Sequence, residues 1–384
     1  MPEPAPKGRL RQWLANLILL GVSVALTLGL FELGARLFVD AWAPQHGVRN
    51  FWTQDPRLGW VHVPSAQGRH VHHDFEVDVA TSAQGFRDEP VSFERTPGRR
   101  RVLFLGDSFG FGYGVERGEL LPDLLEARFA DSEFVNASVA GYGTDQQLLF
   151  FRERGYRYEP DLVLYLFHPN DVEDNNAPRR YRYPKPQFLL DDEGELQLTG
   201  VPVPTLSLRQ KFGRFLQQRT YVLYRVWDWR DQLRAVWRAW QAETEAEEVA
   251  RAPAREPSAA SAPKRKPSPA QQEWTELDHP TRPPKPGRNQ DFRVSRALVE
   301  ALAREVTSRG ARFAVVSIGG APDPRELLTA TLRRIGVPYL PLDDAFDEVV
   351  ARNFKFQHDP HWNAAGHALA ADAVERWLRE EGLL

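Results

Sequence analysis

The sequence predicts an α/β fold: a parallel sheet of about five strands covered by helices, preceded by one membrane-spanning helix. Three observations carry this. Short apolar strands alternate with helical periodicity from residue 101 onward, the same alternation resumes at residue 293, and an uncharged apolar run occupies residues 13–31. Alternation at this spacing is the pattern of βαβ units, which force neighbouring strands to run parallel.

The N-terminal run holds only Asn16, Ser23 and Thr27 as polar interruptions before Glu32 ends it. As a helix it is long enough to cross about 30 Å of hydrocarbon. Lys7, Arg9 and Arg11 precede it against the single acid Glu3, so the positive-inside tendency keeps residues 1–12 in the cytoplasm and exports the rest of the chain. The expected address is a single-pass inner-membrane protein, anchored through residues 13–38, with its main domain periplasmic or extracellular. A cleaved signal peptide ending near Ala41 to Ala43 and a buried core helix are the competing readings. The run is longer than the usual apolar region of a signal peptide, and it lacks the polar face of a core helix.

Residues 50–98 are expected to form a small β-rich lead-in, because stretches such as Phe75-Glu76-Val77-Asp78-Val79 alternate apolar with polar. The main domain is expected over residues 99–384. Its first part reads as strand 101–107, helix 120–129, strand 134–139, helix 145–154 and strand 161–167. A helical insertion at 206–240 comes next, with Phe212, Phe215, Leu216, Val222, Val226, Trp229, Leu233 and Trp237 on one broad apolar face and Arg and Lys opposite. Such a helix packs on its own domain or lies on a membrane surface or partner. Residues 241–289 are dominated by Ala, Glu, Pro, Ser, Lys and Arg, too poor in apolar side chains to offset ordering entropy, and read as a disordered surface loop. Helix 293–308, strand 312–318, helix 324–334, strand 337–342 and helix 364–381 complete the alternation.

Composition removes several chemistries. A net charge of -3 with mixed signs offers no basic stripe for a phosphate backbone, so no nucleic-acid partner is expected. The chain has no cysteine, which excludes disulfides, thiolate metal sites and cysteine nucleophiles.

Candidate chemistry begins at Gly106-Asp107-Ser108, where a strand runs into a turn containing Gly110, Gly112 and Gly114. Ser108 would then stand in the crevice beyond the carboxyl ends of the strands. Small or polar residues come after the next two strands, Gly141 in one case and Asn170 in the other. A backbone N–H at glycine and an asparagine amide are the donors that an acyl-transfer oxyanion needs; taken singly, Gly141 turns the chain and Asn170 caps a turn. Near the C-terminus, Phe356-Gln-His-Asp-Pro-His-Trp-Asn precedes the last helix. A serine needs a base, and the base needs a group that fixes its tautomer; His361 and Asp359 fit these roles. His358 and His367 compete, and a metal site of His and Asp is the alternative. No cofactor and no metal are expected.

Gly106-Asp107-Ser108-Phe109, Gly141, Asn170-Asp171 and Asp359-x-His361 fall in the order of the four blocks of the SGNH (GDSL-type) hydrolase superfamily, which the sequence resembles over residues 100–170 and 311–381. Asp55-Pro-Arg-Leu-Gly-Trp, Gly85-Phe86-Arg87 and Gly143-Thr-Asp-Gln-Gln look like segments of its membrane-anchored bacterial branch. The resemblance implies a three-layer α/β/α sandwich with a five-stranded, flavodoxin-like parallel sheet. It also implies Ser108 as nucleophile, His361 as base, Asp359 as its partner, and Ser108, Gly141 and Asn170 as the oxyanion hole, with Asp107 structural. Many members place the carboxylate three residues before the histidine. Here Asp359 stands two before, with Trp362 and Asn363 next after His361, like alginate-type O-acetyltransferase relatives. The expected function is hydrolysis of an acyl, chiefly acetyl, ester of a cell-envelope carbohydrate. Alternatives are O-acetyl transfer to an exported polysaccharide and an inactive scaffold with an envelope-assembly protein partner.

Overall fold

A computed structural model describes residues 7–38, 51–72, 74–181, 183–220, 292–319, 322–342, 346 and 352–384. The chain divides into two compact units, Met1–Gln45 with Leu206–Ala262 and His46–Thr205 with Pro263–Leu384.

In the first unit, α1 (Lys7–Phe38) is a single helix. Its stretch Arg11–Ala35 is long and apolar enough to span a membrane, and residues 11–31 are exposed throughout. The insertion begins with α6 (Leu208–Arg219). Ser207 starts it: its Oγ accepts from Gln210 N at 3.3 Å, while Gln210 Oε1 accepts from Ser207 N at 2.8 Å, a reciprocal cap that satisfies two otherwise orphaned donors. The remainder of the expected insertion helix and the expected loop at 241–289 lie outside the described residues.

The second unit opens with two antiparallel hairpins, β1 (Trp52–Asp55) with β2 (Gly59–His62) and β3 (Gln67–Val71) with β4 (Glu76–Ala80). The alternation read around Val77 is real: Val77 and Val79 are buried between exposed Glu76, Asp78 and Ala80. Then come β5 (Arg100–Leu105), α2 (Ser108–Phe111), α3 (Leu121–Arg128), β6 (Ser132–Asn136), α4 (Thr144–Glu153), β7 (Leu162–Phe167) and α5 (Asn170–Asn175). Two small hairpins succeed them, β8 (Arg179–Arg180) with β9 (Tyr183–Pro184) and β10 (Gln187–Leu190) with β11 (Leu196–Thr199). The α/β alternation resumes with α7 (Phe292–Ser308), β12 (Arg312–Ser317), α8 (Pro322–Arg334), β13 (Tyr339–Pro341) and α9 (Ala364–Glu380).

The sheet has five strands in the order β13-β12-β7-β5-β6, every pair parallel. This is the flavodoxin-like order, and its crevice lies beyond the carboxyl ends of the strands where the winding reverses at β5 and β7. Central β7 is an unbroken apolar run, buried at all six positions, as a strand covered on both faces requires. Period two sorts its side chains. Val163, Tyr165 and Phe167 join Leu103, Phe313 and Val315 against Leu148 of α4, Leu298 and Leu302 of α7 and Leu328 of α8. Leu162, Leu164 and Leu166 join Val102, Phe104 and Val316 against Leu125 of α3 and Val374 and Leu378 of α9. Two helical layers therefore enclose the sheet, as expected.

The expected strand 134–139 is displaced. It pairs over Ser132–Asn136, and then Asn136 Oδ1 accepts from Ser138 N at 3.2 Å. The backbone nevertheless stays on β5 beyond the last paired residue: Ala137 N donates to Phe104 O at 2.9 Å and Val139 N to Gly106 O at 3.1 Å. Residues 137–139 therefore run beside the carboxyl end of β5, and Gly141 follows them.

Candidate active site

Ser108 is the first residue of α2, a single turn whose N-cap is Asp107. Asp107 is buried, and its Oδ1 accepts from Phe109 N at 2.9 Å. Its part is therefore to shape the turn, as anticipated. Gly110 is required there because a Cβ would collide with Ser138 Oγ. The buried guanidinium of Arg87 fastens the rest of the turn, donating to the carbonyl oxygens of Phe111, Gly112 and Val115 and to that of Asp78 in the lead-in. Burial brings this guanidinium down to about 10. Gln147 Nε2 donates to Gly106 O at 2.6 Å and fixes the end of β5.

His361 meets this turn from the segment between β13 and α9. Its Nε2 stands 2.7 Å from Ser108 Oγ, and its Nδ1 stands 2.5 Å from Asp359 Oδ1. The carboxylate can only accept from Nδ1–H, so Nε2 is the bare nitrogen facing the hydroxyl. Asp359 Oδ1 also accepts from the His361 backbone N–H at 2.9 Å. Burial works to raise Asp359, but these two bonds outweigh it and hold the carboxyl below its ordinary value. The two-residue spacing thus lets one carboxylate oxygen grip both the ring and the backbone of the same histidine. Tyr113 stacks on the imidazole at 4.3 Å and Phe109 leans on it at 4.8 Å.

Gly141 lies after β6 with φ +81, the left-handed region that glycine adopts without strain. A Cβ there would come within 2.6 Å of Tyr181 Cε2. Trp60 Nε1 from the lead-in donates to Ala140 O at 3.2 Å, and Tyr142 OH returns a bond to Trp60 O at 2.5 Å. Both neighbours of Gly141 are therefore clamped. Among the described residues, neither Ser108 N–H nor Gly141 N–H has an acceptor. Asn170 begins α5, and its side-chain amide lies 2.6 Å from His168 Nδ1, which also accepts from the Asn170 backbone N–H at 3.2 Å. His168 in turn stacks on Phe109 at 5.0 Å.

The competing histidines are occupied elsewhere. His367 is buried, its Nδ1 accepts from Leu121 N at 3.2 Å, and burial brings it down to about 3. It anchors α3 to α9. His358 Nδ1 lies 2.6 Å from Asp74 Oδ1 in the lead-in. Trp362 is buried between Phe109 and Phe346, and Asn363 caps α9 by accepting from Gly366 N at 3.0 Å.

Sequence reasoning did not single out Asp74, Tyr113, His168 or Asp171. Asp171 stands next to Asn170 and is buried; its Oδ2 accepts from Tyr165 OH at 2.7 Å. Its Oδ1, like Asp107 Oδ2, has no hydrogen-bond partner among the described residues. Burial and then the charge of Asp107 push Asp171 well above the ordinary carboxylate range.

No protein-family model matches the sequence, and no curated protein matches it. Solved structures similar to this chain include a GDSL-like lipase from Bacteroides thetaiotaomicron, at 10% identity and TM-score 0.35, covering 76% of this chain and 93% of that one. A catalytic mutant of Axe2, an acetylxylan esterase from Geobacillus stearothermophilus, has 13% identity and TM-score 0.37, covering 74% and 96%. A lipase/acylhydrolase from Enterococcus faecalis has 13% identity and TM-score 0.37, covering 73% and 96%.

Proposed function

We propose that this chain is a serine-dependent ester hydrolase of the SGNH (GDSL-type) class, acting on an acyl, chiefly acetyl, ester of a cell-envelope carbohydrate. The observation that carries the reading is the hydrogen-bonded series from Ser108 Oγ to His361 Nε2 at 2.7 Å and from His361 Nδ1 to Asp359 Oδ1 at 2.5 Å. It is the geometry a serine needs to lose its proton as it attacks.

In the first half-reaction His361 Nε2 takes the Ser108 proton while Oγ bonds to the ester carbonyl carbon. Charge develops on the carbonyl oxygen, where the N–H groups of Ser108 and Gly141 and the Asn170 amide receive it. Collapse breaks the bond to the alcohol, which leaves with the proton from Nε2. Water then loses a proton to His361, attacks the acyl-serine and releases the acid, and Ser108 regains its hydrogen. Asp359 stays ionised and holds the imidazole in the required tautomer. Residues 13–38 would anchor the protein in the inner membrane, with Lys7, Arg9 and Arg11 on the cytoplasmic side and the ester site outside.

The Asp359-x-His361-Trp362-Asn363 order favours a second reading, in which a sugar hydroxyl replaces water and the reaction becomes O-acetyl transfer. Full-length chain in detergent micelles, given p-nitrophenyl acetate with and without an oligosaccharide acceptor, tests both. Ser108→Ala should lose about 10³-fold or more in rate. Equal rates for the two proteins would sink the enzymatic reading. An acetylated acceptor among the products would assign transfer over hydrolysis.

A further inference from the structure

We propose that Asp74, in the lead-in, is a positioning residue that holds the His358–His361 segment over Ser108, an inference that rests on the Ser108–His361–Asp359 assignment. Asp74 sits in the bend between β3 and β4, and only 7% of its side chain is exposed. Its Oδ1 accepts from His358 Nδ1 at 2.6 Å and its Oδ2 accepts from the His358 backbone N–H at 2.9 Å. Both carboxylate oxygens thus bond the residue immediately before Asp359, and Oδ2 also lies 3.8 Å from His72 Nδ1. Burial opposes the charged form, but the two bonds from His358 prevail and hold Asp74 below the ordinary carboxylate value.

The grip is reinforced on either side. Phe75 packs on Phe356 at 4.9 Å, and Phe75 and His70 both meet Tyr113, the ring stacked on His361. Within the segment, Phe356 N donates to His361 O at 3.1 Å, closing it into a loop across the catalytic pair. A shift at His358 is therefore passed to Asp359 and His361 rather than absorbed. Because proton transfer between Ser108 and His361 depends on a 2.7 Å contact, a displacement of a fraction of an ångström acts on the chemical step and leaves substrate capture alone.

The test uses full-length protein in detergent with p-nitrophenyl acetate. Asp74→Ala should lower kcat by about tenfold to a hundredfold at unchanged KM. Asp74→Asn keeps an acceptor for the His358 backbone N–H and should lose less; it also carries the test if the alanine variant does not fold. His358→Ala removes one of the two bonds and should fall between wild type and Asp74→Ala. Since both residues act through one contact, Asp74→Ala combined with His358→Ala should match Asp74→Ala alone. Wild-type kcat in Asp74→Ala and Asp74→Asn, a rise in KM without loss of kcat, or losses that multiply in the double variant would overturn the proposal. Amide hydrogen exchange across residues 356–361 should quicken in Asp74→Ala whether or not Ser108 proves to be the nucleophile. This readout separates a failed latch from a failed hydrolase assignment.

Discussion

The two halves of the candidate catalytic apparatus are held in different ways. On the nucleophile side, the Ser108 turn is capped by Asp107, tied by three bonds from Arg87 and braced at Gly106 by Gln147. The turn itself grows directly from the buried strand β5. On the base side, His361 stands in a segment fastened by the Lys355–Trp362 bridge, the Phe356–His361 backbone bond and one lead-in carboxylate. Redundancy on one side and economy on the other teach where a substitution will be felt. A change near Ser108 is met by a capped turn on the sheet and costs stability; a change near His361 acts on a segment between elements and costs rate.

The largest expected break in this asymmetry is Asp359→Asn. The amide cannot accept from Nδ1–H in the same way and favours the wrong tautomer, so kcat should fall by about 10⁴-fold with a nearly unchanged melting temperature. A comparable loss in His358→Ala would assign the partner wrongly. The converse case is Arg87→Lys, where one ammonium replaces a fork that reaches four carbonyl oxygens. Thermal unfolding should show a loss of roughly 2 kcal/mol, while kcat per folded molecule changes little. A large kcat effect at unchanged stability would erase the distinction between the two sides. The smallest effect is expected for Asp171→Asn. Wild-type Asp171 has a folded pKa above its unfolded one, so it contributes stability that is full below about 3.9 and is lost as pH rises toward the folded value. The asparagine variant lacks that loss. Its melting temperature minus that of wild type should therefore rise between pH 4 and pH 8, and a difference that stays flat or falls over this range would mean the carboxyl of Asp171 is not raised.

Much of the fold could be read along the chain because periodicity reports burial. The run Leu162–Phe167 announces a strand covered on both faces, and α7 shows its inward stripe at Leu298, Leu302 and Val306. Ser108, Asp359 and His361, which the fold joins by hydrogen bonds, were legible because one comes just after a strand and the others just before the last helix; Gly141 and Asn170 were read from their places after β6 and β7. Asp74 was not, since 284 residues separate it from His358 and no periodicity records such a pairing. His168 and Asp171 lay beside a marked residue, but their work depends on Phe109 and Tyr165, which only the fold brings near. The apolar pattern read through Val139 reports a backbone that stays bonded to β5 past Asn136, with Val139 N donating to Gly106 O at 3.1 Å.

Arg87 also bears on how such a protein can be cut and recombined. A boundary drawn at residue 99, where the regular alternation starts, would leave the carbonyl oxygens of Phe111, Gly112 and Val115 without their donor, and would discard Trp60 beside Gly141 as well. The smallest portable piece of this chain therefore begins before β1. Grafting the site onto another tether means moving the two hairpins with it, as parts of the same compact unit.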